Sequence, residues 1–318
     1  MSFKKISQLT PGETIISFFL IRKVECRNTN SGNKYLDFIL SDNSGEIVAK
    51  LWDCSPEEES QFAKNMLIKV KGTVVEWQGR KQLKIDKIRL VEAKDEVDIE
   101  EFVPVAPYPA REMYAELLAY LEKIGNSKLK ETVRLIIDEV EEKLMTWPAA
   151  LHNHHSLRSG LLYHTLTMLK AGEALLQIYP FLNKDLLLAG IILHDIAKIE
   201  EIEADELGQA TAYSIVGQLL GHIVQGIKKI DWAARQVGLD EELSLQLQHM
   251  ILAHHYEPEF GSPKKPMFPE AELLHYLDIL DARMFDMQKA LDTVEPGEFS
   301  DRIWALDNRR LYKSNFSG

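Results

Sequence analysis

Cysteine is almost absent from this sequence, with only Cys26 and Cys54 in 318 residues. Two thiols cannot build a disulfide framework and suit a reducing compartment; they could sit close together in space, but both are read as small buried residues. No apolar run reaches the roughly 18 residues that a bilayer span requires. Met1-Ser2-Phe3-Lys4-Lys5 is not followed by the apolar core and small-residue cleavage site of a signal peptide, so a cytoplasmic location is expected. There is no internal repeat and no low-complexity segment. Excess positive charge is also missing: the net charge is -12, which argues against simple electrostatic capture of nucleic acid by the whole chain.

The charge is nonetheless uneven. Residues 1–93 hold 15 Lys+Arg against 12 Asp+Glu, and residues 94–318 hold 22 against 37. A mildly basic front and an acidic remainder suggest two modules with different tasks. With 45% hydrophobic and 27% charged residues, the composition is that of a soluble globular protein with ample core.

The first module, residues 1–93, alternates with period two between turn signals, which predicts strands over 15–27, 35–41, 46–52, 67–76 and 82–91. Asn28-Thr29-Asn30-Ser31-Gly32-Asn33 is a polar loop, and Asp42-Asn43-Ser44-Gly45 is hairpin-turn chemistry. Residues 56–64 form a short helix candidate with Ser55 as N-cap. Three strands, a helix and two strands is the order of the five-stranded OB-fold barrel. Leu36, Phe38, Leu40, Ile47, Ala49 and Leu51 should line it. Tyr35, Lys50 and Trp52 then face outward, where aromatic faces stack bases and ammonium groups meet phosphates. Trp77, Arg80 and Lys81 on the last hairpin could add a second contact; Trp52 and Trp77 could equally cover barrel ends.

Residues 94–110 are acidic and then carry Pro104, Pro107 and Pro109, which reads as a stiff extended linker. Residues 111–295 show three- and four-residue apolar spacing, with helices at about 157–179, 184–199, 213–237, 240–254 and 270–292. No strand pattern competes, so an all-α domain is expected. The tail, 296–318, carries no assignable pattern.

The chemistry concentrates in this helical half. Leu193-His194-Asp195-Ile196-Ala197-Lys198 ends an apolar run that begins at Leu186. A buried carboxylate must be paired or bound to a metal. His164, His222, His254, His255 and Asp278 also sit in apolar contexts on other predicted helices or at their ends, so the set needs a metal or its own members. Gly221, before His222, would allow another helix to approach closely. His249 and His275 read as surface or hydrogen-bonded core residues, and so do His152, His154 and His155. Imidazole with carboxylate suits manganese, cobalt, iron, nickel or zinc, and the lack of thiolate argues against a closed structural zinc site. Seven ligands can hold two divalent ions, with Asp195 as a natural bridge; such a pair clamps the attacking and leaving oxygens in phosphoryl transfer. Lys198, one turn beyond Asp195, could neutralise a phosphate oxygen or pair at the surface with Glu201 or Glu203.

His164 followed by His194-Asp195 and a later Asp resembles the HD superfamily of metal-dependent phosphohydrolases. Asn153-His154-His155-Ser156-Leu157-Arg158-Ser159-Gly160-Leu161-Leu162-Tyr163-His164-Thr165 resembles the 3'-5' exoribonuclease YhaM family more closely. So do Gly221-His222-Ile223, His249-Met250-Ile251-Leu252-Ala253-His254-His255, Gly261-Ser262-Pro263 and Asp278-Ile279-Leu280-Asp281-Ala282-Arg283. The resemblance spans nearly the whole chain and implies an OB-fold followed by an HD domain. It also implies removal of nucleotides from the 3' end of single-stranded RNA or DNA, typically with manganese or cobalt. By this resemblance Asp195 is the catalytic carboxylate, and Lys198 and Arg158 hold phosphate. The superfamily pattern favours Asp278 over Asp281 as the last ligand. Two positions depart from the family, Ala197 in place of a usual Gly and Tyr256 in place of a small residue. Competing expectations are a phosphohydrolase of nucleotides or cyclic dinucleotides and a non-catalytic nucleic-acid-binding protein with a structural metal. The oligomeric state is left open, a homo-oligomer included.

Overall fold

The computed structural model describes residues 4–29, 32–151 and 155–316. Asn30 and Ser31 of the expected loop, and His152, Asn153 and His154, therefore lie outside the described residues. Two compact units divide the chain at Pro104 and Val105.

In the first unit the alternating stretches become β1 (Thr14–Asn28), β2 (Lys34–Asp42), β3 (Gly45–Trp52), β4 (Leu67–Trp77) and β5 (Arg80–Leu90). They close into a barrel in the order β1-β2-β3-β5-β4. Closure depends on β1, whose first half pairs with β4 and whose second half, from Leu20 onward and across a bulge between Ile21 and Lys23, pairs with β2. A bulge bends a strand enough to serve two neighbours. All six residues expected inside are buried. The short helix α1 (Pro56–Gln61) is capped reciprocally, Ser55 Oγ accepting from Glu58 N and Glu58 accepting from Ser55 N.

Two expectations for this region need correction. Cys26 is exposed and Cys54 half-buried, and their sulfurs lie within 4.8 Å of each other and of a Glu59 carboxylate oxygen. Cys26 lies on a strand and Cys54 just beyond one, places where spacing alone does not reveal facing. The acidic start of the supposed linker is also not a free spacer. Asp95 takes a bidentate contact from Arg89 at 2.7 and 2.8 Å and another from Lys69 at 3.0 Å, which fastens it to the barrel. The prolines block a helix, but Val105 instead forms a bridge with Arg158, and Ala106 N donates to Arg158 O.

The second unit is mainly helical: α2 (Ala110–Glu122), α3 (Ser127–Leu144), α4 (Gly160–Ile178), α5 (Lys184–Leu193), α6 (Lys198–Glu201), α7 (Ile215–Val237), α8 (Glu241–Ala253) and α9 (Pro269–Asp292). It is not purely α, because β6 (Ile202–Ala204) and β7 (Ala210–Tyr213) form a small antiparallel hairpin. Strands of three and four residues are too short to show period two. Helix α5 is apolar all round and wholly buried from Leu186 to Leu193, so whatever follows it is delivered into the core. The expected helix over 184–199 accordingly breaks at His194, and α6 restarts at Lys198. The tail folds back as an irregular hairpin, with bridges Phe299–Tyr312 and Ile303–Arg309 around a 3-10 turn at Trp304–Leu306. Among the described residues no helix is long and apolar enough to cross a membrane.

Candidate metal centre and nucleic-acid face

His194 and His254 occupy the C-caps of α5 and α8, where the last carbonyls of a helix lack partners. Each ring meets that need from its Nδ1, which donates to the carbonyl three residues back, Ile191 at 2.8 Å and Ile251 at 2.7 Å. The same arrangement recurs around the cluster. His164 Nδ1 donates to Asp281 at 2.7 Å, His222 Nδ1 to Glu201 at 2.9 Å, and His255 Nδ1 to the Phe260 carbonyl at 2.7 Å. Five imidazoles thus spend one nitrogen on an oxygen acceptor and keep Nε2 for the interior, the tautomer that a metal-binding histidine needs.

The Nε2 atoms of four of these rings lie within 3.8 Å of Asp195, which is 1% exposed. Its Oδ2 lies 3.2 Å from His194 Nε2 and 3.8 Å from His164 Nε2, and Asp278 Oδ1 lies 3.2 Å from His164 Nε2. Its Oδ1 lies 3.4 Å from His222 Nε2 and 3.8 Å from His254 Nε2. Potential ligand atoms of Asp195, His222, His254 and His255 all fall within 4.8 Å of one another, as do those of His164, His194 and Asp195. Asp195 Oδ1, His222 Nε2 and His254 Nε2 are buried with no hydrogen-bond partner. Orphaned buried polar atoms are costly. A shared cation would satisfy all three, so this donor set fits divalent metal binding.

The electrostatics agree. Burial opposes ionisation of Asp195, but Lys198 and His194 hold its carboxyl well below the usual range. Burial likewise opposes charge on Asp278, and His164 and His194 overcome it. Burial would lower His164, yet Asp278 on its Nε2 side and Asp281 on its Nδ1 side lift it to about 9, so that without a cation the ring carries a proton that metal binding displaces. His254 is pushed down by burial and by His255 and His194, which keeps its ring neutral. Lys198 is buried and reaches Asp195 Oδ2 at 2.6 Å, so it faces the cluster and not the surface. It lines a cleft of about 740 Å³ together with His222, His255 and Asp278.

Two supporting residues, Glu201 and His155, escaped the sequence reading in this role, and a third, Asp281, entered it only as the alternative to Asp278. Glu201 holds His222 through both its backbone N and its Nδ1, at 3.1 and 2.9 Å. Asp281 lies on the Nδ1 side of His164, away from the converging Nε2 atoms, and also accepts from His155 Nε2 at 2.8 Å. His155 is therefore a buried member of this support and not an incidental histidine. The rule that each ligating imidazole needs an acceptor was the available signal, but it does not say which carboxylate serves which ring. His275 donates to the His254 carbonyl at 2.7 Å, and His249 accepts from Met267 N, as hydrogen-bonded core residues do.

Arg158 is not among the lining residues of the cleft; its Nη1 donates to the Glu206 carbonyl at 3.3 Å. Gly221 also acts differently from expectation. Its φ of 67° and ψ of 171° interrupt α7 and turn His222 toward Glu201, a conformation essentially confined to glycine. The close approach belongs to Gly217, where a Cβ would come within 2.3 Å of the Glu201 carbonyl. Gly221→Ala should cost about 1–3 kcal/mol by that backbone strain, read by thermal unfolding, and weaken metal loading. Unchanged stability would show that the turn is not strained.

On the barrel, Tyr35 and Trp52 are cross-strand partners with ring centroids 4.7 Å apart, and Lys50 Nζ lies 4.9 and 5.5 Å from the two centroids. Lys84, which the sequence reading passed over, is exposed and pairs in register with Lys50. Trp77 is 63% exposed and opposes Arg80 at the last turn, so within this unit it covers nothing. Lys81 is tied to the Leu9 carbonyl at 2.6 Å and is better understood as a fastening of the barrel.

Family models for the OB-fold nucleic acid binding domain and the HD domain match residues 21–91 and 161–283. A relative from Halalkalibacterium halodurans described as 3'-5' exoribonuclease YhaM is 43% identical over 96% of this chain and 94% of its own length. A second from Geobacillus sp., of the same description, is 41% identical over 99% and 96%. The chain belongs to the YhaM family. The two positions expected to depart from the YhaM family have physical accounts. Ala197 has an ordinary helical backbone, and its Cβ faces Gly226 on α7, which leaves the methyl room. Tyr256 has φ of 68°, the left-handed region where a small residue is easiest, and its ring lies against His275 with centroids 4.7 Å apart.

Proposed function

We propose that this YhaM relative is a metal-dependent 3'-5' exonuclease of single-stranded RNA, with two divalent ions per site and manganese the best match to carboxylate and imidazole donors. The convergence of four Nε2 atoms on the two oxygens of Asp195, with a potential ligand atom of His255 within 4.8 Å, carries this reading. His164, His194, Asp278 and Oδ2 of Asp195 would hold one ion; His222, His254, His255 and Oδ1 would hold the other. When bound, such ions supply the positive charge and the activation of water that phosphodiester hydrolysis needs at neutral pH.

The protein's own groups do the rest. Asp281 and Glu201 fix His164 and His222, so these rings need no reorganisation during turnover. Lys198, buried beside Asp195, presents an ammonium to a phosphate oxygen entering the cleft. Tyr35, Lys50 and Trp52 would hold the strand by stacking and charge, with Lys84 beside them. Trp77 and Arg80 stand ready as a second contact. The test is a matrix of metals against 5'-labelled RNA, 5'-labelled DNA and free nucleotides. Stepwise shortening from the 3' end, strongest with manganese and abolished by a chelator, is expected. Turnover of free nucleotides with the strands left intact would contradict it.

A further inference from the structure

The cleft that holds the carboxylate cluster has a wall the mechanism above leaves unused. Trp304, Ala305 and Asp307 of the C-terminal hairpin line it together with His222 and Asp278. The hairpin is a built object. Leu306 is fully buried, the turn packs on α9, and Asp307 pairs with Arg283 of α9 at 2.5 Å. Asp307 and Asn308 both take left-handed backbone, with φ of 59° and 56°, and the Ile303–Arg309 bridge closes the loop around them. Asp and Asn are the side chains that tolerate this region best, and two in succession form the tight turn of a hairpin. The turn follows directly on the segment Trp304–Leu306, so the indole is carried on backbone of defined conformation.

Trp304 is 77% exposed although its neighbour Leu306 is fully buried. An indole so exposed on a fixed loop offers a large flat face and gains nothing for the fold. Tyr256, also on the cleft wall, is already engaged, with His275 beside its ring and Lys265 Nζ 4.6 Å from its centroid. The cleft volume falls within the roughly 300–1,000 Å³ of pockets that enclose a nucleotide-sized ligand. Every nucleobase has a π face, and a tryptophan accepts any of them.

We infer that Trp304 is a base-stacking platform for one of the two 3'-terminal nucleotides of a single strand, seating the strand end beside the cluster around Asp195. The inference rests on the exonuclease reading only for the identity of the strand end. It assigns the otherwise unpatterned tail to substrate positioning, and it predicts tolerance of base sequence, because stacking does not read hydrogen-bonding edges.

The experiment uses metal-loaded enzyme and a short single-stranded oligonucleotide with 2-aminopurine at one of its last two positions, stabilised by phosphorothioate linkages. Binding should quench the fluorescence strongly for one of these two positions and not for a probe placed far upstream. Trp304→Ala should lose that quench and raise KM for the strand about tenfold, while kcat on bis(p-nitrophenyl) phosphate, which has no base, stays unchanged. Trp304→Phe should retain most of the quench, which separates ring loss from a misfolded loop. Phe260 is another exposed aromatic side chain lining this cleft, so full quenching in Trp304→Ala, or its loss in Phe260→Ala instead, would overturn the platform. If the quench depends on Trp304 but an unmodified strand is never shortened, the exonuclease reading fails and the platform stands.

Discussion

Asp195→Ala should remove hydrolysis by at least about three orders of magnitude and lower the bound metal toward none, from the proposed two ions per chain. The size follows from the site: one carboxylate faces both ligand groups, and an interaction worth several kcal/mol of charge stabilisation converts at about 1.4 kcal/mol per factor of ten. Losing a peripheral ligand such as His164 or His255 should leave one ion behind. Asp195→Asn is the sharper control, since it keeps the volume and removes the charge that Lys198 faces. Binding of a single strand to the Tyr35–Lys50–Trp52 face should persist in both variants. Metal analysis beside a 3'-end shortening assay reads all of this; a variant that keeps its metal and its rate would refute the bridging role.

Asp281→Ala should weaken metal binding by about 10–100-fold without abolishing it. Its Oδ2 accepts from both His155 and His164, so truncation strands two buried N–H groups at about 1–3 kcal/mol each. Thermal unfolding of the metal-free variant should record that loss separately from affinity. Asp278→Ala should do the opposite, harming metal content more than metal-free stability, because Asp278 faces the Nε2 side of His164. If Asp281→Ala empties a site that Asp278→Ala leaves filled, the two assignments must be exchanged.

These two carboxylates, three residues apart on α9, show what sequence can and cannot reveal. Asp278 was visible because a charged group in an apolar run demands a reason, and Asp281 only through the motif that places it one turn further on. Which one faces the cluster depends on the rotation of α9, and no local pattern reports that. The barrel was more legible, since Leu36, Phe38 and Leu40 announce a buried face through strict period two. Period two also exposed Tyr35 and Trp52, but not the pairing that puts Lys84 beside Lys50, which arises from a parallel contact between distant strands. Arg158 looked like a phosphate ligand through its motif, yet its side chain follows the fold toward Glu206. Gly221 and the left-handed pair Asp307–Asn308 are features of backbone angle, and the sequence names only the glycine.

The central claim is that one buried aspartate joins two ligand groups. Anomalous scattering from crystals of the manganese-loaded protein tests it most directly. Two peaks about 3.5–4 Å apart should flank the Asp195 carboxylate, one beside His164, His194 and Asp278 and the other beside His222, His254 and His255. A single peak, or two peaks that Asp195 does not touch, would contradict the account.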